Sequence, residues 1–339
     1  VLLASGVVRI STVNRAEPRG CLQVDLKVDD RVMRTSQRTE LRSHTDIAIL
    51  GGGPAGLQAA LTAGRVGRQA TLFDDGTYRN ATVSHMHNVV THDGTPPAQF
   101  RAAARAELTA YDTVCVREER VETIERDGED FRLTLASGDV LSAYAVVLAT
   151  GVRDELPPIP GLQDVWGDLA AQCPFCHAFE FKGTRIGIIG ASAAGHYTAL
   201  MGPIAGGFVV FAEGQELGEG VSVDAPVLTA RMTSVERTGD GLRVSLDDGT
   251  TQDVAVLFVV PTLHQSAPFA EQLGLELNPS GCVRIDEFAR TSVPGVTAGG
   301  DLAHLAAFPM PMATVLMAAG GGQLAGHSAI ARLLARGLR

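Results

Sequence analysis

The apolar positions of this chain fall into short runs, each closed by a glycine-rich turn or a polar hairpin. Asp46-Ile47-Ala48-Ile49-Leu50 reads as a strand, Gly51-Gly52-Gly53-Pro54-Ala55-Gly56 as the turn after it, and Leu57 to Gly64 as a helix. The next apolar run, Ala70 to Phe73, stops at Asp74. The theme returns at Arg185 to Ile189, where Gly190-Ala191-Ser192-Ala193-Ala194-Gly195 opens a helix and the run Phe208 to Ala212 ends at Glu213. Gly190 to Glu213 has the same spacing as Gly51 to Asp74, so one strand–turn–helix–strand unit occurs twice. Each copy is followed by alternating residues that predict a hairpin, Ile124 to Leu135 and Val235 to Leu246. Each hairpin leads to an apolar strand, Ala145 to Leu148 and Val254 to Val260. The pattern predicts an α/β protein with two Rossmann-like units, each carrying a small antiparallel meander.

The first turn has the G-x-G-x-x-G spacing of a dinucleotide site in the context that site requires. Gly51 permits the tight turn, Gly53 lets the backbone approach a pyrophosphate, and Gly56 lets helix and strand pack closely. The helix N-terminus would face the diphosphate, with Pro54 and Ala55 opening it. Asp74 stands where a carboxylate binds a ribose hydroxyl. A second half of the site follows at Thr291 to Asp301, a turn, a short strand and a terminal acid. In the second unit Ser192 replaces the middle glycine and hinders a pyrophosphate. No Arg or Lys lies between Gly195 and Arg231 to take the 2′-phosphate of NADPH. The pattern therefore argues against NADPH, and less strongly against NADH, which would place its ribose on Glu213.

Cys173-Pro174-Phe175-Cys176-His177 lies just upstream of the second unit. Two thiols at this spacing can close into a disulfide and reopen, and a thiol in such a motif often has a lowered pKa. The His177 imidazole could move the protons of that exchange. A zinc site would need two more ligands, and Cys21, Cys115 and Cys282 are isolated in sequence, so no metal is expected. A dithiol beside a bound redox cofactor suggests electron transfer between thiols and that cofactor.

Charge and composition narrow the class. The net charge of −10 argues against nucleic acid and anionic membrane as partners. No apolar run is long enough to span a bilayer. Residues 1–44 differ from the rest, with eight Arg/Lys against five Asp/Glu and no periodicity. The first methionine is Met33, so the functional polypeptide is expected to begin near it and the basic extension to lack order. A soluble cytoplasmic enzyme is expected, in which a structural disulfide would be unusual.

In its order of parts, from about Thr45 to Leu334, the chain resembles the low-molecular-weight thioredoxin reductases. Ala149-Thr150-Gly151 is similar to the family's ATG motif, and Gly300-Asp301 to the motif whose aspartate holds the ribityl chain of FAD. The resemblance implies FAD, a homodimer, and four segments: 1–44 as the extension, 45–153 as the first FAD segment, 154–262 as the inserted dithiol-bearing domain, and 263–339 as the second FAD segment. It makes Cys176 the flavin-proximal thiol and Cys173 the interchange thiol. The family has Asp where His177 stands. Tyr78-Arg79-Asn80, His85-Met86-His87-Asn88 and the CPFCH motif, with the lost NADPH arginines, further resemble the dithiol oxidases of disulfide natural products of the gliotoxin and holomycin type. This resemblance places Asn80, Asn88, Thr314 and Val315 at the cofactor. Pro311-Met312-Ala313-Thr314-Val315 replaces the Arg-Gln-Ala of the reductases.

The expected activity is oxidation of a small-molecule dithiol through the CxxC and FAD, with O2 as acceptor. The alternative runs the other way, from NAD(P)H to a thioredoxin-like protein. A third class is a flavin redox sensor without turnover. His85 and His87 are candidates for the flavin pocket. His196 is read as structural, and Met310, Met312 and Met317 as core or flavin-packing residues.

Overall fold

The computed structural model describes residues 43–239 and 241–338, so the basic extension falls outside the described residues up to residue 42. The first unit begins with β1 (His44–Leu50), whose residues Ile47 to Leu50 are fully buried. Burial of consecutive residues is the mark of a parallel strand covered on both faces. Helix α1 (Pro54–Gly64), β2 (Ala70–Phe73), α2 (Pro97–Leu108) and β3 (Val114–Arg117) follow. The hairpin β4 (Val121–Asp127) and β5 (Asp130–Leu135) then runs into β6 (Val140–Leu148). The sheet order is β3-β2-β1-β6-β5-β4. Strand β6 serves two partners along its length. Its first residues, Val140 to Ala143, pair antiparallel with β5, and Val146 to Leu148 pair parallel with a strand that arrives from the C-terminal part of the chain.

The chain leaves this unit through β7 (Val152–Glu155) and enters β8 (Ala170–Ala171), the one-turn helix α3 (Pro174–His177), β9 (Arg185–Ile189), α4 (Ala191–Met201), β10 (Gly207–Phe211) and β11 (Val227–Leu228). The meander β12 (Met232–Thr238), β13 (Gly241–Leu246) and β14 (Thr251–Val254) precedes β15 (Val256–Val259). The expected strand Val254 to Val260 is thus two. Val254 ends an antiparallel edge, and from Val256 the backbone pairs parallel with β9, so the break at Ala255 is where the chain changes sheets. The second sheet has the order β11-β10-β9-β15-β8. Strand β16 (Thr262–Gln265) returns antiparallel to β7, so the two crossings between units form one two-stranded ribbon.

The first unit is completed by α5 (Phe269–Gln272), β17 (Val283–Ile285), β18 (Val296–Ala298), β19 (Ala303–Leu305) and α6 (Val315–Ala335). Strand β18 lies beside β6 as β8 lies beside β15. The two units therefore share a strand order, and Asp301 follows β18 where Cys173 follows β8. Ligands of open α/β sheets bind at these carboxyl ends. Helix α6 approaches α1 closely because Gly322 has no side chain: a Cβ there would fall 1.9 Å from the Ala55 carbonyl oxygen.

Candidate active site

A cavity of about 470 Å3 runs from the β1–α1 turn to the CxxC. Gly51, Gly53, Pro54, Ala55, Asp74, Asn80, Gly151, Asp301, Thr314 and Val315 line it, together with Cys173, Cys176 and His177. The sequence-expected groups thus come from both sheets to one wall. Asn88 is not among these lining residues. It is exposed, with φ +59°, and its N–H donates to Asp93 Oδ1 at 2.7 Å, so its visible work is to turn the loop. Gly56 lies beneath the wall, where a Cβ would fall 1.8 Å from the Gly51 carbonyl oxygen.

The turn before α1 fits a diphosphate. Gly51 holds φ +113°, and a Cβ on it would reach within 2.4 Å of the Ala149 carbonyl oxygen. Gly53 caps α1 with no side-chain cap, and no atom lies within 4 Å of where its Cβ would sit. An uncapped helix start with open space before it is what an anionic linkage needs. Gly52 has a separate duty that the motif hides: its Cβ would overlap Asp74 Oδ2 at 1.8 Å.

Asp74 is almost fully buried. Its carboxylate accepts from Tyr78 Oη at 2.6 Å and the Gly76 N–H at 3.0 Å, and pairs with Arg105 of α2. Burial, then the Asp74 carboxylate, push the Tyr78 phenol above its ordinary value, which keeps it a donor. Arg101, also on α2, stacks its guanidinium 3.8 Å from the Tyr78 ring centroid and donates to Asn80 Oδ1 at 2.9 Å. The α2 arginines had no sequence signal beyond their charge.

Cys173 and Cys176 form a disulfide with Cα atoms 5.3 Å apart, at the start of and within α3. His177 Nε2 lies 2.7 Å from the Asp168 carbonyl oxygen. A carbonyl only accepts, so Nε2 carries the proton and Nδ1 is left as an acceptor. Cys282, the buried thiol near Asp301, is pushed up by that burial and stays protonated. Thr314 caps α6 by accepting the Met317 N–H at 3.2 Å, which sets the start of that helix at the cavity wall.

Arg79 occupies the junction of the two units. Its Nε and Nη2 donate to the Asp154 carboxylate on β7 at 2.6 to 3.1 Å. Nη1 donates to Asp301 Oδ2 at 2.8 Å, and Nη2 to Gln172 Oε1 at 2.6 Å. Burial disfavours its charge, but Asp154 and Asp301 more than offset this and raise its pKa.

His87 lines the cavity, 3.5 Å from both Asp93 and Glu180, while His85 is exposed against Ser84 and does not line it. His196 is exposed on α4. Met310 packs against the core, but Met312 and Met317 are about half exposed, unlike core residues. In the second unit Glu213, at φ +53°, already accepts the Met232 N–H at 3.0 Å. The loop after it folds over α4, where a Cβ on Gly195 would come 2.9 Å from Val221. Among the described residues, no group of three or more His, Cys, Asp or Glu could hold a metal ion, and no helix is long and apolar enough to cross a membrane.

Two dinucleotide-type units with a dithiol on the wall of the shared cavity define a flavin-linked disulfide oxidoreductase. Residues 45–206 and 218–326 match the family described as pyridine nucleotide-disulphide oxidoreductase, and the chain belongs to it as an FAD-binding flavoprotein of the thioredoxin reductase type. It is 36% identical over 308 residues to "Thioredoxin reductase aclD" of Aspergillus oryzae, a match covering 85% of this chain and 96% of that one. The solved structure of HlmI is 31% identical with a TM-score of 0.80, covering 87% of this chain and 94% of that one. An oxidoreductase from Agrobacterium tumefaciens is 32% identical with a TM-score of 0.79, covering 86% and 99%.

Proposed function

We propose that this protein oxidises a small-molecule dithiol to its disulfide through Cys173, Cys176 and FAD, with O2 as the final acceptor. The observation that carries the reading is the Cys173–Cys176 disulfide on the wall of the cavity that opens at the Gly53 turn. The net reaction is R(SH)2 + O2 → RS2 + H2O2. A substrate thiolate attacks Cys173 Sγ, the S–S bond breaks, and Cys176 leaves as thiolate. The second substrate thiolate attacks the substrate sulfur of that mixed disulfide and expels Cys173. The product departs as a disulfide, leaving two electrons on the cysteine pair, the first substrate proton on His177 Nδ1 and the second on Cys173. His177 Nδ1 accepts a proton from the incoming thiol while its Nε2–H stays on the Asp168 carbonyl. Bound FAD supplies a two-electron acceptor that O2 can empty.

Gly51, Gly53, Pro54 and Ala55 would hold the diphosphate, Gly151 and Asp301 the ribityl region, and Thr314 and Val315 the flavin end. The start of α6 there favours negative charge. O2 is preferred to a nicotinamide because Ser192 stands where the second fingerprint needs its middle glycine, one oxygen of Glu213 already accepts the Met232 N–H, and the loop beyond it carries Glu216, Glu219 and Asp224 with no cation. The relatives' printed name, thioredoxin reductase, favours a second reading, in which NAD(P)H drives reduction of a thioredoxin-like protein. A cytoplasmic homodimer completes the proposal, with Cys115 and Cys282 kept as free thiols. In air, without nicotinamide, dithiothreitol should yield one peroxide per disulfide formed. Absence of peroxide during turnover would reject O2 as the acceptor, and absence of turnover would favour a redox sensor.

A further inference from the structure

The loop between β2 and α2 belongs to the first unit but meets the dithiol unit at three places. Thr82 packs where a Cβ on Gly167 would come within 2.4 Å of its Oγ1. His87 Nε2 lies 3.5 Å from Glu180. Arg79 donates to the side chain of Gln172, the residue before Cys173. The Gln172 backbone carbonyl accepts the Tyr197 hydroxyl from α4 at 2.7 Å. Gln172 is thus held through its side chain by one unit and through its backbone by the other. The same guanidinium grips Asp154 on the connecting ribbon and Asp301 in the first unit. Its side chain is only 19% exposed and that of Asp154 8%, so these bonds are shielded from water.

We propose that Arg79 is a positioning residue, a latch that holds the dithiol segment and the connecting ribbon against the flavin site throughout the cycle. The inference rests on the proposed transfer from thiol to flavin. A dithiol held in place must be met at the cavity by its substrate, which suits a small molecule better than a protein. The role requires an arginine. Its planar fork reaches three partners at once, whereas a lysine keeps the charge but cannot span them.

The test compares wild-type holoenzyme with Arg79→Lys. Bound FAD per chain is read from absorbance. Disulfide opening by dithiothreitol is timed by quenched alkylation of Cys173 and Cys176 with mass spectrometry. Flavin bleaching is followed anaerobically. With rates normalised to bound FAD, the latch predicts unchanged disulfide opening, faster alkylation of reduced Cys176, and bleaching slowed by about tenfold or more. Bleaching slowed no more than disulfide opening overturns it. Should Arg79→Lys not fold, Gln172→Ala removes a single contact and should give the same split at smaller size, with parallel rates again overturning the latch. Failure of dithiothreitol to bleach the wild-type flavin would reject the proposed function and the latch together. Equal bleaching of wild type and variants would reject the latch alone.

Discussion

Gly53 and Gly56 belong to one motif, the first capping α1 and the second inside it, yet an added methyl group meets different surroundings at each. Gly53 has φ −76° and ψ −177°, a backbone any residue adopts, and nothing lies within 4 Å of its Cβ position. At Gly56 the Cβ would stand 1.8 Å from the Gly51 carbonyl oxygen and 3.2 Å from Leu72 Cδ1. Restoring an ordinary contact of about 3.5 Å needs a shift of roughly 1.7 Å between α1 and the turn. Overpacking of this kind costs about 1–3 kcal/mol, a Tm loss of roughly 2–12 °C. Gly53→Ala carries no such cost without flavin, and the stiffer unfolded chain favours it by about 0.4–1 kcal/mol. Its penalty should fall on FAD, whose diphosphate must approach this backbone, with affinity weakened about tenfold or more, equal to about 1.4 kcal/mol. Thermal unfolding of flavin-stripped protein and an FAD titration by fluorescence quenching separate the two effects. Gly53→Ala should keep or raise Tm and bind FAD poorly, and Gly56→Ala should lose Tm. Wild-type FAD affinity in Gly53→Ala, or a Tm loss matching that of Gly56→Ala, would overturn this division of roles between the two glycines.

Cys176→Ser should stay yellow while dithiothreitol no longer bleaches it; normal bleaching would remove the cysteine pair from the relay. His177→Ala should slow disulfide opening by about 10²- to 10⁴-fold, less at high pH where substrate thiols ionise unaided, and an unchanged pH–rate profile would exclude a proton-transfer role. Tyr197→Phe should lose about 0.5–1.5 kcal/mol with its bond to the Gln172 carbonyl. Burial pushes the Tyr197 phenol up to about 12 from 10.0, so the proton is held more tightly in the folded state. That contribution is complete below pH 10.0 and fades as pH rises through about 12, so a denaturation difference that disappeared below pH 10.0 would contradict it.

Much of the architecture was legible in the sequence because parallel strands bury consecutive residues and the dinucleotide turn needs glycine at fixed places. Helix α6 was not legible, since Gly320-Gly321-Gly322 reads as a break. Those glycines persist in the helix because α6 must come close to Ala55 and Gly299, where a Cβ on Gly322 or Gly299 would strike backbone. The roles of the α2 arginines, and of Arg79 within its motif, were not legible because they lie in partners distant along the chain: Asp74 and Asn80 for the first pair, Asp154, Gln172 and Asp301 for the other. The positive φ of Asn88, and with it the turn of the loop at that residue, is invisible in the sequence. The bond of Glu213 to the Met232 N–H is likewise hidden in the sequence, because it forms only when β12 is in place.

The proposed direction of electron flow, from dithiol through flavin to O2, can be read by anaerobic stopped-flow spectroscopy at the flavin absorption band. Oxidised holoenzyme is mixed separately with dithiothreitol, NADPH and NADH, and air is then admitted with peroxide detection. The flavin should bleach with the dithiol and little or not at all with NADPH, and should recover in air with release of peroxide. Fast bleaching by micromolar NADPH would contradict it and establish the reductase direction. Fast bleaching by NADH alone would show that the second turn accepts a dinucleotide despite Ser192.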